Sequence, residues 1–150
     1  MEQNKGFTLT EMLVVLAIAG ILTSISLTSF LSWKEKSDME NDVKKISSFI
    51  QEQRMIAFSR KTSFSCYFSS NGKILYAKDL SDSKIIRIKL KSAFEFNGSN
   101  LVIDSRGTMS GASIKPKTLI SNSNYDCLAI NDTRIKIGKW DGGSGKCSVK

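Results

Sequence analysis

The sequence predicts an α+β domain in which one long N-terminal helix packs on an antiparallel sheet. No proline or glycine interrupts residues 21–71, and the apolar residues of that stretch recur at helical spacing. From Thr62 onward apolar and polar residues alternate instead, in short runs separated by turn sequences such as Asn71-Gly72 and Asn97-Gly98. A long helix followed by about six to eight short strands is typical of the α+β class.

The chain begins with a polar leader, residues 1–6, and an uncharged stretch soon follows. That stretch runs for 22 residues from Met12 to Trp33, and a helix needs about 20 residues to cross the hydrocarbon core of a bilayer. We therefore expect residues 7–33 to form a transmembrane or filament-core half of the helix. Glu11 stands at the edge of this stretch, and we expect it to have a cationic partner, because an unpaired carboxylate in hydrocarbon costs about 2–3 kcal/mol.

Two interpretations explain part of this segment. Ala17-Ile18-Ala19 has the form of a secretory cleavage site, but only five apolar residues separate it from Glu11, fewer than a secretory signal needs. A plain single-pass anchor explains the apolar length and leaves Glu11 and the Gly6-Phe7 junction unexplained.

A third interpretation is a family resemblance. Gly6-Phe7-Thr8-Leu9-Thr10-Glu11 followed by an apolar helix resembles the class III signal of type IV pilins and type II secretion pseudopilins. The resemblance implies the type IV pilin fold, cleavage by a prepilin peptidase between Gly6 and Phe7, and methylation of the new amino group of Phe7. It also implies assembly with other pilins through the helix, in which Glu11 of one subunit pairs with the amino group of its neighbour at low dielectric.

The same resemblance implies a location. Before assembly the protein is expected to be a single-pass protein of the bacterial inner membrane with its globular domain in the periplasm. After assembly it is expected in a pilus or pseudopilus.

Residues 34–61 are expected to continue the helix as an amphipathic segment that ends near Arg60. Its apolar stripe consists of Met39, Val43, Ile46, Ile50 and Ala57, with charged residues on most of the remaining surface. The alternative is a break near Ser37 that divides the segment into two helices.

Residues 62–150 are expected to form an antiparallel β-sheet domain with a basic, glycine-rich tail. The third predicted strand, residues 86–90, is basic on its exposed side, and Phe94 and Phe96 are expected to continue inward from it. Residues 138–150 hold four glycines and are expected to be loop unless something ties them. The predicted strands cover residues 62–68, 73–77, 86–90, 101–103, 108–114, 126–130 and 133–137, with a brief pairing possible at 119–120.

The composition argues against an enzyme. The chain has no histidine, the usual proton-transfer group near neutral pH and the commonest zinc ligand, and its three cysteines form no C-x-x-C pair. No phosphate-binding or nucleophile motif is present. We expect no cofactor, no metal and no small-molecule substrate, whereas the net charge of +8 favours an anionic partner.

Three cysteines allow several pairings, and the sequence alone does not choose among them. A disulfide is permitted outside the cytoplasm, and we favour Cys127–Cys147 because the glycine-rich stretch between them can bend its ends together. Cys66 is then expected to be a buried free thiol. The alternative is that all three are reduced.

The globular part resembles the FimT-type minor pilins and the H-type pseudopilins of type II secretion. The resemblance rests on Cys66 soon after the helix, the turn Ser105-Arg106-Gly107 and the late strand Cys127-Leu128-Ala129-Ile130. FimT-type proteins often carry Gly-Arg-x-Arg at the next turn, where this chain has Thr133-Arg134-Ile135-Lys136 and so lacks the glycine and the second arginine. The resemblance links this loop and the tail to DNA capture in natural transformation.

We therefore expect a sequence-independent contact with the DNA backbone at the end of the chain. Arg134 and Lys136 alternate and should share one side of a strand, and Trp140 is expected in the loop closed by the disulfide. The alternative is an H-type pseudopilin with a structural role and no DNA binding. The expected DNA-binding residues are Arg134, Lys136, Lys139, Lys146 and Lys150.

Overall fold

The structure is a computed structural model that describes residues 6–119 and 123–149, without the side chains of residues 24–28. Its single helix in the described residues, α1, spans Leu9–Arg60. The backbone is helical at Ser37, so the alternative break there is absent. The chain divides into two compact units between Glu35 and Lys36.

The first unit contains the expected transmembrane segment. Among the residues whose side chains are described, no helical stretch combines the length and the apolar character needed to cross a bilayer. The expected segment, residues 7–33, includes residues 24–28, whose side chains lie outside the described residues.

In the second unit, α1 is followed by short strands that form two antiparallel sheets. One sheet has four strands in the order β3-β2-β1-β5, and the other has five in the order β4-β6-β7-β8-β9. The α+β class is confirmed. The strands are β1 Phe64–Phe68, β2 Ile74–Asp79, β3 Ile85–Lys89, β4 Phe94–Asn97, β5 Leu101–Ile103, β6 Ala112–Pro116, β7 Cys127–Ile130, β8 Ile135–Asp141 and β9 Lys146–Val149.

The apolar stripe of α1 forms the centre of the core. Val43, Ile46 and Ile50 are fully buried, as the helical spacing predicts. The stripe packs against both sheets, so the helix covers the inner face of each one. The buried sheet residues include Phe64, Leu75 and Leu101 of the four-stranded sheet and Ile114, Leu128 and Ile130 of the five-stranded sheet.

The expectation that Phe94 and Phe96 continue the third strand is wrong. They belong to β4, which pairs with β6 in the other sheet. The chain changes sheets at residues 90–93, where the backbone N–H groups of Lys91 and Ser92 donate to the Asp42 carboxylate of α1 at 2.8 and 2.7 Å. A helix side chain thus satisfies backbone donors that a continuing strand would have used.

The tail also differs from the prediction. Strand β8 continues to Asp141, and β9 pairs with it, so residues 135–149 form a hairpin in place of a loop. The strand expected from residue 108 starts only at Ala112, because the Thr108 N–H donates to Asp104 and leaves a single bridge between Ile103 and Met109. Leu119 lies in no strand, and Ile120 lies outside the described residues.

Candidate functional site

The N-terminal end of α1 is exposed and closed by a reciprocal pair of side chains. Gly6 and Phe7 precede the helix, and Phe7 is 79% exposed. Glu11 Oε2 accepts hydrogen bonds from the Thr8 N–H and the Thr8 hydroxyl, both at 2.9 Å, while the Glu11 N–H donates to Thr8 Oγ1 at 3.3 Å. This is a capping box, which satisfies backbone donors of the first turn.

Glu11 has no cation within ion-pair distance among the described residues, since each of the ion pairs there involves other carboxylates. The carboxylate therefore has hydrogen bonds and no neutralising charge within residues 6–119 and 123–149. The arrangement leaves an anion available beside the junction of Gly6 and Phe7.

The end of the five-stranded sheet is fixed by a disulfide between Cys127 and Cys147, the pairing favoured from the sequence. Their Cα atoms are 5.9 Å apart, and the bridge joins β7 to β9 across β8. Gly138 lies between them, where a Cβ would overlap the carbonyl oxygen of Ser148, so only glycine permits this close approach. Cys66 is free and buried, and burial raises the pKa of its thiol to about 12.

The five expected DNA-binding residues do not form one surface. Arg134 and Lys136 are both exposed. Lys139 lies in β8, not in a loop, and because it is three residues from Lys136 it faces the other side of the sheet. Lys146 is opposite Asp141 in the register and so shares the face of Lys139. Lys150 lies outside the described residues.

Lys139 is held by a buried acid that the sequence reasoning missed. Its ammonium group lies 3.0 Å from the carboxylate of Asp126, a residue with no exposed surface, and it also donates to Ser123. Asp126 in turn accepts a hydrogen bond from the backbone N–H of Trp140 at 2.6 Å. Lys139 therefore compensates a buried charge and is not available to a polyanion. The backbone N–H of Asp126, the residue before β7, also donates to the Gly138 carbonyl at 3.0 Å, and no local sequence pattern signals this contact.

The outer face of this sheet carries Lys136 and Trp140. Trp140 is opposite Cys147 in the register, and the ammonium of Lys115 lies 5.7 Å from the centre of its ring. Among the described residues, no group of three or more Cys, Asp or Glu side chains is placed to hold a metal ion.

Comparison with known proteins assigns the N-terminal end. Residues 1–27 match the family described as the prokaryotic N-terminal methylation motif. The type IV major pilin protein PilA of Myxococcus xanthus (strain DK1622) is 30% identical over 70 residues, which are 47% of this chain. The match covers 31% of that relative's length.

Solved structures resemble the fold. Two structures of the minor pseudopilin EpsH from the type II secretion system of Vibrio cholerae superpose with TM-scores of 0.52 and 0.53 at 9% and 10% identity. They cover 67% and 69% of this chain and 94% and 97% of the EpsH chains. The chain thus carries the prokaryotic N-terminal methylation motif over residues 1–27, and its fold is similar to that of EpsH.

The methylation motif includes the capped N-terminal end, because residues 1–27 contain the Gly6-Phe7 junction and Glu11. The similarity to EpsH shows the fold alone at this level of identity, and the basic residues of β8 have no role assigned by it.

Proposed function

We propose that this protein is a minor pilin or minor pseudopilin, which enters a filament after cleavage between Gly6 and Phe7. The observation that carries the proposal is the N-terminal end of α1: an exposed junction followed by a carboxylate, Glu11, that has no cation among the described residues. In this proposal residues 7–33 hold the subunit in the inner membrane and later form the filament core.

Electrostatics is the reason to expect Glu11 to pair with the amino group of a neighbouring subunit. Cleavage before Phe7 produces a cationic amino group, and methylation keeps that charge. In an apolar helical bundle an unpaired carboxylate is unfavourable by several kcal/mol, whereas a close ion pair with good hydrogen bonding offsets much of that cost. The amino group of one subunit and Glu11 of the next therefore fix the axial register of neighbouring helices.

Intact mass spectrometry of the protein isolated from membranes tests this proposal. The protein is expected to lack residues 1–6 and to carry one methyl group on Phe7. The replacement Gly6→Val should prevent removal of the leader, because a branched side chain then occupies the position before the cleaved bond, where the peptidase requires glycine. The conservative control Thr10→Ser should be processed normally. A mature protein that retains residues 1–6 contradicts the proposal.

The family resemblance leaves two systems open, a FimT-type minor pilin of a type IV pilus and an H-type minor pseudopilin of type II secretion. The fold likeness to EpsH, a minor pseudopilin of type II secretion, fits the second system, and the similarity to the major pilin PilA fits the first. Deletion of the gene separates them: loss of pili with normal protein secretion indicates the first, and loss of secretion with normal pili the second.

Duplex DNA is a second candidate partner. Arg134 and Lys136 support it, because both are exposed and neither has an ion pair among the described residues. We infer a weak, sequence-independent contact of these two cations with phosphates, as in electrostatic backbone binding. Lys139 and Lys146 lie on the other face of the sheet and are not part of this contact.

Titration of the full chain with duplex DNA tests that inference. Arg134→Ala together with Lys136→Ala should weaken binding for all sequences and reduce the salt slope by about 2, one unit for each phosphate that is no longer neutralised. The matched control, Lys73→Ala together with Lys84→Ala, removes the same charge from exposed sites just before β2 and β3 of the other sheet. Equal weakening in both variants contradicts a localised site.

A further inference from the structure

The four-stranded sheet presents an outer face that the proposed functions leave unused. In β1 and β2 buried residues alternate with half-buried ones, so one set of side chains faces the core and the other faces away from it. The register aligns Tyr67, Tyr76 and Arg87 in one row across β1, β2 and β3. We call the surface formed by Tyr67, Tyr76, Lys78, Arg87 and Lys89 the tyrosine face.

Two aromatic rings stand at the centre of the tyrosine face. Tyr67 and Tyr76 are directly opposite each other, with ring centres 5.2 Å apart and planes inclined by 21°, so they are stacked. Among the described residues, no further ring or cation lies against either of them. The second side of each ring thus has no ring or cation against it, and both side chains are partly exposed.

The tyrosine face is positive. Lys78 lies two residues beyond Tyr76 on the same side of β2, and Arg87 and Lys89 are exposed on β3. None of the three has an ion pair within residues 6–119 and 123–149. The one acid of these strands, Asp79, is buried on the opposite side of β2 and accepts the Ser81 N–H. No carboxylate on the strands of this face opposes an approaching polyanion.

We propose that the tyrosine face binds single-stranded nucleic acid. Bases stack on the free sides of Tyr67 and Tyr76, while Lys78, Arg87 and Lys89 contact the phosphates. Aromatic platforms bordered by cations are the means by which proteins hold single strands without sequence preference. In a duplex the flat sides of the bases are stacked on each other, and an acidic peptide has no bases. The combination of rings and cations therefore favours a single strand. The proposal is independent of the Arg134 and Lys136 site.

Fluorescence anisotropy of a labelled oligo(dT) with the full processed chain in detergent at low salt tests the proposal. Tyr67→Leu and Tyr76→Leu keep apolar bulk and remove the stacking ring, and each should weaken binding by roughly 5- to 150-fold, the range for one stacked base. Tyr67→Phe and Tyr76→Phe keep the ring and should bind like the unchanged protein. Arg87→Ala with Lys89→Ala should reduce the salt slope by about 1.4.

The controls separate this site from the other proposals. Arg134→Ala with Lys136→Ala should weaken duplex binding far more than oligo(dT) binding, and the leucine variants should weaken oligo(dT) binding far more than duplex binding. Polyphosphate, which has charge without bases, should compete poorly. Absence of oligo(dT) binding, equal binding of polyphosphate, or leucine variants that fold by circular dichroism and bind normally would each overturn the proposal. If a leucine variant fails to fold, Tyr67→Trp, which enlarges the ring, should bind at least as tightly as Tyr67, and weaker binding overturns the proposal.

Discussion

Single side chains in this protein compensate buried charges. Asp126 is the clearest case, because it is fully buried and is held by the Lys139 ammonium, the Trp140 backbone N–H and the Ser123 hydroxyl. A buried ion pair adds little relative to an apolar pair, but removal of one partner leaves an uncompensated charge in a low-dielectric interior. Lys139 thus contributes to stability, whereas the exposed Lys136 does not.

Replacement Lys139→Met should therefore lower the free energy of unfolding by about 3 kcal/mol, the lower end for a broken buried pair because the lysine is partly exposed. The same replacement at the neighbouring exposed position, Lys136→Met, should change it by less than about 0.5 kcal/mol. Urea unfolding followed by circular dichroism measures both. Equal effects at the two positions contradict the role of Lys139.

Asp104 organises the turn Ser105-Arg106-Gly107 at the end of β5. Hydrogen bonds from Thr108 first, and from Arg106 as well, lower the pKa of its carboxyl from 3.8 to about 2. The folded-state pKa lies below that of the unfolded chain, so the stabilisation is fully present above about pH 4 and is lost as the pH falls toward 2.

The stability of the unchanged protein should therefore fall between about pH 4 and pH 2, and the variant Asp104→Asn should show a shallower fall over the same window. Chemical unfolding at a series of pH values measures the slope. The control Ser105→Ala alters the same turn without removing a titrating group and should keep the original slope. An unchanged slope in Asp104→Asn would show that Asp104 does not contribute to the pH dependence of the free energy of unfolding.

At the scale of elements, local periodicity predicted the strands and long-range contacts decided where they pair. Phe64 and Cys66 alternate with polar residues, and β1 forms where that alternation lies. The same alternation around Phe94 predicts a strand but not the sheet in which that strand pairs. The change of sheet depends on hydrogen bonds to Asp42, which is far away in the sequence. The hairpin of residues 135–149 likewise depends on Cys127 and on the close approach at Gly138.

The candidate sites also divide into those defined by a local sequence pattern and those that depend on long-range strand pairing. The Gly6-Phe7 junction and Glu11 are local patterns and were visible in the sequence. The grouping of the basic residues depends on the register between β8 and β9, which places Lys136 and Lys146 on opposite faces. The stacked tyrosines are symmetric about the Asn71-Gly72 turn, so their pairing across that hairpin was available to sequence reasoning and was missed.

Removal of the disulfide should loosen β9 more than the rest of the sheet. In the chain-entropy account a loop of this size contributes about 3 kcal/mol, so Cys127→Ser with Cys147→Ser should lower the free energy of unfolding by about that amount. Amide hydrogen exchange should rise first in residues 146–149. Cys66→Ser is the control for loss of a thiol outside the bridge. Unchanged protection of β9 would contradict this role.

At the scale of the whole molecule, the proposals give separate tasks to the two parts of the chain. In the proposed function residues 7–33, with Glu11, give the subunit its position in a filament, and in the proposed binding sites the strands of the globular unit present cations and aromatic rings to a nucleic acid. Variants of the tyrosine face and of Arg134 and Lys136 should therefore assemble normally.

The central claim is that Glu11 pairs with the processed amino group of a neighbouring subunit, and incorporation into the filament measures it most directly. The ratio of assembled to membrane-bound protein is determined by immunoblot for Glu11→Gln and for Glu52→Gln, an exposed carboxylate further along α1. The account predicts that Glu11→Gln is processed and reaches the membrane but assembles at least about tenfold less, because the cationic amino group is left unpaired, while Glu52→Gln assembles normally. Normal assembly of Glu11→Gln would contradict the account.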